Sequence, residues 1–60
     1  MNTYNHAFDI AFTVISNEES GMDVTPNMII LALLRRIADL AENGEVIEAV
    51  GAPFDTYEEN

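Results

Sequence analysis

Cysteine, tryptophan and lysine are absent, and the only permanent cations among the 60 residues are Arg35 and Arg36. Without cysteine, neither a disulfide nor a thiolate metal site can reinforce so short a chain. Two arginines stand against 11 Asp and Glu, giving a formal charge of -9. Direct binding of nucleic acid through phosphate contacts is not expected, because phosphate affinity comes from neutralising cations. Anionic membrane surfaces are disfavoured for the same reason. Long apolar runs are missing too: the longest, Met28 to Leu34, is seven residues, against the roughly 20 that span a bilayer. The N-terminal stretch Met1–His6 carries no Lys or Arg, so no secretory leader is expected and the cytoplasm is the expected setting. What the chain does have is apolar material. At 48% hydrophobic residues it should collapse into a single small domain over residues 1–60 rather than remain disordered.

From Ala7 to Ile15 the pattern has period two. Phe8, Ile10, Phe12 and Val14 fall on one face, and Ala7, Asp9, Ala11 and Thr13 on the other, which predicts a half-buried strand. The polar, acidic stretch Ser16–Asp23 reads as a loop. Thr25-Pro26 then marks a helix start: Thr25 can cap a free N–H of the first turn, and Pro26 lacks an N–H that would have had no partner. Asp23 adds negative charge near the positive end of the helix dipole. A full capping box is not expected, because Met28 stands where Glu or Gln would reach back.

The helix is predicted from Pro26 to Glu42, closed by Asn43-Gly44. Its main apolar stripe is Ile30, Leu33, Leu34, Ile37, Leu40 and Ala41, with a second patch from Met28, Ile29, Leu31 and Ala32. A helix apolar over so much of its circumference needs contacts on two sides. Glu45–Val50 fits a short helix capped by Gly51, with a strand as the alternative. Phe54 to Glu58 is expected to form a strand or an extended arm. The expected fold class is therefore α+β in β-α-α-β order, one long helix packed on a small antiparallel sheet.

A chain of this size needs a supplement to its core, and with disulfides excluded the expected one is a second copy. Pairing through strand edges or through the Met28–Ala32 side of the helix would give a homodimer. The alternative is a monomer whose second helix and C-terminal arm wrap the long helix.

Little material for catalysis is present. His6 is the only imidazole and reads as a surface residue near a terminus. Ser16 and Ser20 have no histidine near them in sequence, and neither a phosphate loop nor a zinc pattern appears. The acidic loop lacks the alternating oxygen ligands of an EF-hand. No metal, no cofactor and no enzymatic activity are expected.

Apart from Asp9, the acids fall into three groups: Glu18, Glu19 and Asp23; Asp39, Glu42, Glu45 and Glu48; and Asp55, Glu58 and Glu59. Two readings stay open. The charge can simply keep a very apolar small protein soluble. It can instead recognise a basic protein surface such as a nucleic-acid groove, with carboxylates standing in for phosphates. On the second reading the partner-binding residues are Glu18, Glu19, Asp39, Glu42, Glu45 and Glu48. Arg35 and Arg36 are expected to pair with Asp39, at i+4 and i+3 respectively, although Arg36 could instead meet an acid of a second subunit.

The succession FDIAFTV, an acidic loop, DVTP, ALLRRIADL and EAVGAPFDTYEE resembles the small acidic proteins encoded by bacteriophages and mobile elements. The resemblance is one of size, charge and layout, and it assigns no role to any residue. It implies a non-catalytic inhibitor or modulator that binds a protein of the bacterial host, in the host cytoplasm. The alternative is a small dimeric structural or assembly protein that recognises partners through its apolar helix face and strand edge.

Overall fold

The computed structural model describes residues 2–59. Four elements follow in the order strand, helix, helix, strand: β1 (Thr3–Ala7), α1 (Pro26–Asn43), α2 (Val46–Val50) and β2 (Asp55–Glu59). The fold is α+β, with a two-stranded antiparallel sheet.

Local chemistry explains the helix ends. Thr25 is extended, with φ -104° and ψ 160°, and its hydroxyl accepts a hydrogen bond from the Met28 N–H at 3.3 Å. The reverse contact is also made: the Thr25 N–H donates to Met28 Sδ at 3.4 Å. The capping box absent from the sequence pattern is thus closed by a thioether, a weak acceptor that reaches as far as a Glu side chain would. At the other end Gly44 takes the left-handed conformation, φ 67° and ψ 31°. Its N–H bonds to Ala41 O at 3.3 Å and that of Glu45 to Leu40 O at 2.9 Å, the two bonds of a Schellman motif. Glu45–Val50 resolves as helix over Val46–Val50, closed by Gly51.

The N-terminal strand is displaced from its predicted place. The β-ladder uses Thr3–Ala7, which pair with Asp55–Glu59 in the register Thr3↔Glu59 to Ala7↔Asp55. Residues 8–16 belong to no ladder and no helix. The alternation is nonetheless real. Ile10, Phe12 and Val14 are half-buried while Ala11, Thr13 and Ile15 are exposed; at its start the pattern fails, since Phe8, predicted on the covered face, is exposed and Ala7 is half-buried. Alternation reports which face is covered; it carries no information about whether the backbone edges find a partner.

The two-stranded ribbon contacts neither helix. The expected packing of the long helix on the sheet is therefore replaced by two separate contacts, ribbon strand on ribbon strand and α2 on the end of α1. Residues 12–15 run beside α1 instead, across from Met28, Leu31 and Ala32. Neither apolar patch of α1 is fully covered: Met28 and Ala32 are half-buried while Ile29 and Leu31 are exposed, and much of the main stripe faces solvent. Of that stripe Leu40 alone is buried and Leu33 is half-buried, whereas Ile30, Leu34 and Ile37 are exposed.

The consequence is an open molecule. Its radius of gyration is 15.4 Å, against about 10 Å for a compact chain of this length. It exposes 5205 Å² at a mass of 6.6 kDa, where a compact monomer exposes about 3,900 Å².

Candidate functional site

The acids predicted to bind a partner sit at two ends of α1. Glu18 and Glu19 belong to the loop that enters the helix. The loop is shaped by two successive turns, Gly21 N–H to Glu18 O at 3.0 Å and Val24 N–H to Gly21 O at 3.1 Å. Gly21 takes φ +75° at the junction of the two turns. Asp23 ties the loop shut: its Oδ2 accepts from the Asn17 N–H at 2.9 Å. That bond holds the Asp23 carboxyl below its ordinary value against an opposing desolvation effect, with Ser16 and nearby backbone amides adding to it. Its other oxygen, Oδ1, is shielded from solvent and has no hydrogen-bond partner. Asp23 is thus a structural group, whereas Glu18 and Glu19 remain exposed.

Asp39, Glu42, Glu45 and Glu48 cluster around the Schellman turn that joins α1 to α2, and all four are exposed. No basic residue stands in the last turn of α1. The carboxylates therefore add to the partial negative charge of the helix C-terminus, an arrangement that weakens the helix and concentrates negative potential at its end. The thirteen-residue rise from Pro26 to Asp39 is about 20 Å. The structure thus places these four acids on the last turns of α1 and at the start of α2, apart from Glu18 and Glu19. The third group, Asp55, Glu58 and Glu59, lies on β2. There Glu59 Oε1 accepts from Asn5 Nδ2 at 3.0 Å, and Asp55 Oδ1 accepts from the Thr56 N–H at 2.9 Å.

The arginines do not make the expected pairs with Asp39. Arg36 Nε donates across to Ala11 O at 3.2 Å, and no ion pair within 4.0 Å forms among the described residues. The segment of residues 8–16 supplies the reason: a carbonyl with no ladder partner is a ready acceptor for a long cationic side chain. Between this segment and α1 runs an open groove of about 410 Å³, lined by Phe12, Val14, Met28, Leu31, Arg35 and Arg36 among others.

The remaining chemically capable groups are engaged in holding structure. His6 Nδ1 lies 2.9 Å from Thr56 Oγ1 across the ribbon. Ser16 Oγ donates to Glu18 O at 3.1 Å, and Ser20 Oγ accepts from the Met22 N–H at 3.3 Å. Among the described residues no group of three or more His, Asp or Glu is placed to hold a metal ion, and no helix is long and apolar enough to cross a membrane.

Sequence reasoning named the apolar stripe of α1 but not its exposure to solvent, and it missed that the backbone of residues 8–16 has no ladder partner. The stripe had a signal, since Ile30, Leu34, Ile37 and Ala41 follow one another at spacings of four, three and four. No protein-family model, curated protein or solved structure matches this chain.

Proposed function

We propose that this chain is a non-catalytic interaction module that presents the acidic end of α1 to a basic surface of a nucleic-acid-handling protein, inhibiting or modulating it. The phage-type layout points to a bacterial host and its cytoplasm. One observation carries the reading: four exposed carboxylates, Asp39, Glu42, Glu45 and Glu48, surround a helix C-terminus with no basic residue in its last turn. Such an end attracts cations over several ångströms and steers a basic partner to itself. Glu18 and Glu19, at the far end of the helix, extend the negative field rather than the contact.

The test is capture from bacterial lysate with the intact chain at about 0.05 M and about 0.5 M salt, a range over which exposed charges become strongly screened. A basic nucleic-acid-handling protein should be retained at low salt and released at high salt. It should also be lost when Asp39, Glu42, Glu45 and Glu48 are changed together to lysine with helicity unchanged. Retention by the reversed variant refutes the reading.

A second reading is favoured by a specific observation. The exposed apolar line on α1, with the unpaired edges of residues 8–16, suits a small assembly protein that recognises partners by apolar contact, the acids serving solubility. Binding that persists at about 0.5 M salt selects it.

A further inference from the structure

We infer that the groove between residues 12–15 and α1 docks a short, acidic, strand-forming segment of another protein, which pairs beside residues 10–15 and lays a carboxylate on Arg35 and Arg36. Three features meet in this groove of about 410 Å³. The first is apolar wall. Met28, Leu31 and Ala32 of α1 face Phe12 and Val14 across it, and Leu31 is 56% exposed, open to a partner's side chain. The second is positive charge. Arg35 and Arg36 continue the same side of α1, seven and eight residues on from Met28, and they are the only permanent cations of the chain. The third is backbone. Burial alternates along residues 10–15 with the period of a strand, yet residues 8–16 make no backbone–backbone hydrogen bond among the described residues.

Together these features select one kind of occupant. A strand-like backbone without a ladder partner is a template for another main chain, with alternate side chains read by the adjoining apolar wall. The charge decides which main chain. Neither arginine has a carboxylate within 4.0 Å among the described residues. Arg36, half-buried, spends its Nε on Ala11 O at 3.2 Å, which fixes the guanidinium at the groove's edge. No hydrogen bond from its two terminal nitrogens forms among the described residues, and that fork matches a carboxylate. Asp39 is the one acid in the lining, so two arginines against one aspartate leave the lining at +1 in a chain of -9. A neutral segment leaves this local positive charge unused, and a basic segment opposes it. Length sets the size: Met28 to Asp39 is about 16 Å of helix, or about five residues of extended chain. The surrounding field repels an anion, so affinity here comes from contact within the groove and not from steering.

The experiment is calorimetric titration of the intact chain with seven-residue peptides, acetylated and amidated, at about 0.15 M salt, where the Debye length is about 8 Å. Each has Val, Ile or Phe at its second, fourth and sixth positions, Thr between them, and Glu, Gln or Lys at both ends. The Glu peptides should bind at least about tenfold more tightly than their Gln counterparts, as a charge-assisted contact requires, with the Lys peptides weakest. That order is the reverse of what the net charge of -9 alone would give. Arg35→Gln combined with Arg36→Gln should abolish the Glu preference; should that variant lose helicity, the exposed Arg35→Gln alone decides, and it should cut the preference at least threefold. Asp39→Asn should tighten the Glu peptides about two- to fivefold and leave the Gln peptides unmoved. Methylating alternate backbone nitrogens of the peptide, in either phase, should weaken binding at least about tenfold in one of the two, because strand addition uses those donors. The inference is overturned if no peptide binds more tightly than about 1 mM, if Gln or Lys peptides match the Glu ones, or if the preference survives loss of the arginines. Binding of decanoate without binding of any peptide would assign the groove to a lipid carboxylate and overturn it as well. Capture of a basic protein by the junction acids is read separately, so the proposed function and this docking site can fail independently.

Discussion

Gly44→Ala tests whether the turn between the helices, which holds the acidic junction together, depends on left-handed backbone. Gly44 has φ 67° and ψ 31°, where an L residue with a side chain loses about 1–2 kcal/mol. A Cβ built there meets no atom within 4 Å, so there is no steric contribution and the backbone conformation alone sets the effect. Alanine also narrows the unfolded ensemble, an offset of about 0.4–1 kcal/mol. The balance is a loss of about 1 kcal/mol, with Gly44→Asn losing less because asparagine tolerates this region better. The assay is urea unfolding followed by circular dichroism at one fixed protein concentration, with an unchanged slope as the check that only stability moved. Equal stability of Gly44→Ala and wild type, or a larger loss for asparagine than for alanine, refutes the reasoning. Either result would mean that the two Schellman bonds, from Gly44 and Glu45, do not hold the turn.

Three further outcomes follow from the packing and the caps. Leu40→Ala, at the only buried apolar position among the described residues, should lower stability by about 2–3 kcal/mol, the low end for leucine because the open surroundings can relax; Ile47→Ala, at 76% exposure, should change it by less than about 0.5 kcal/mol, and comparable losses at the two sites in urea unfolding would contradict this placement of the core. Thr25→Ala should cost about 1 kcal/mol, whereas Met28→Leu, which removes only a weak sulfur acceptor, should cost less than half of that in the same assay. Asp23 is held below its ordinary pKa by the Asn17 N–H, so its contribution is complete above the unfolded value near about 4 and disappears as pH falls through the lower folded value; an acid titration of stability should show this component in wild type and lose it in Asp23→Asn, and identical acid limbs would remove the role given to that bond.

Much of the local structure was legible because its causes are local. Thr25-Pro26 and Asn43-Gly44 bound α1 through hydrogen bonds spanning three to five residues, and Gly51 ends α2 in the same way. The Met28 thioether was overlooked as a cap partner because a pattern of residue types expects a carboxylate or amide at that position. The acidic candidates were legible as charged and exposed. Their division between the two ends of α1 became visible only with the helix drawn to its length.

The sequence by itself determined the ends of α1, the charge of -9 and the period-two face of residues 10–14. Each of these depends on covalent identity or on neighbours a few residues away. Tertiary structure alone decided that Thr3–Ala7, with its polar Asn5 and His6, pairs with Asp55–Glu59 some fifty residues on, while the more strand-like segment beside it stays out of the ladder. It also decided which side of α1 that segment runs beside. A backbone edge or an apolar face specifies what kind of partner it needs; which part of the chain arrives there is settled by competition among distant segments, whose outcome no local pattern encodes.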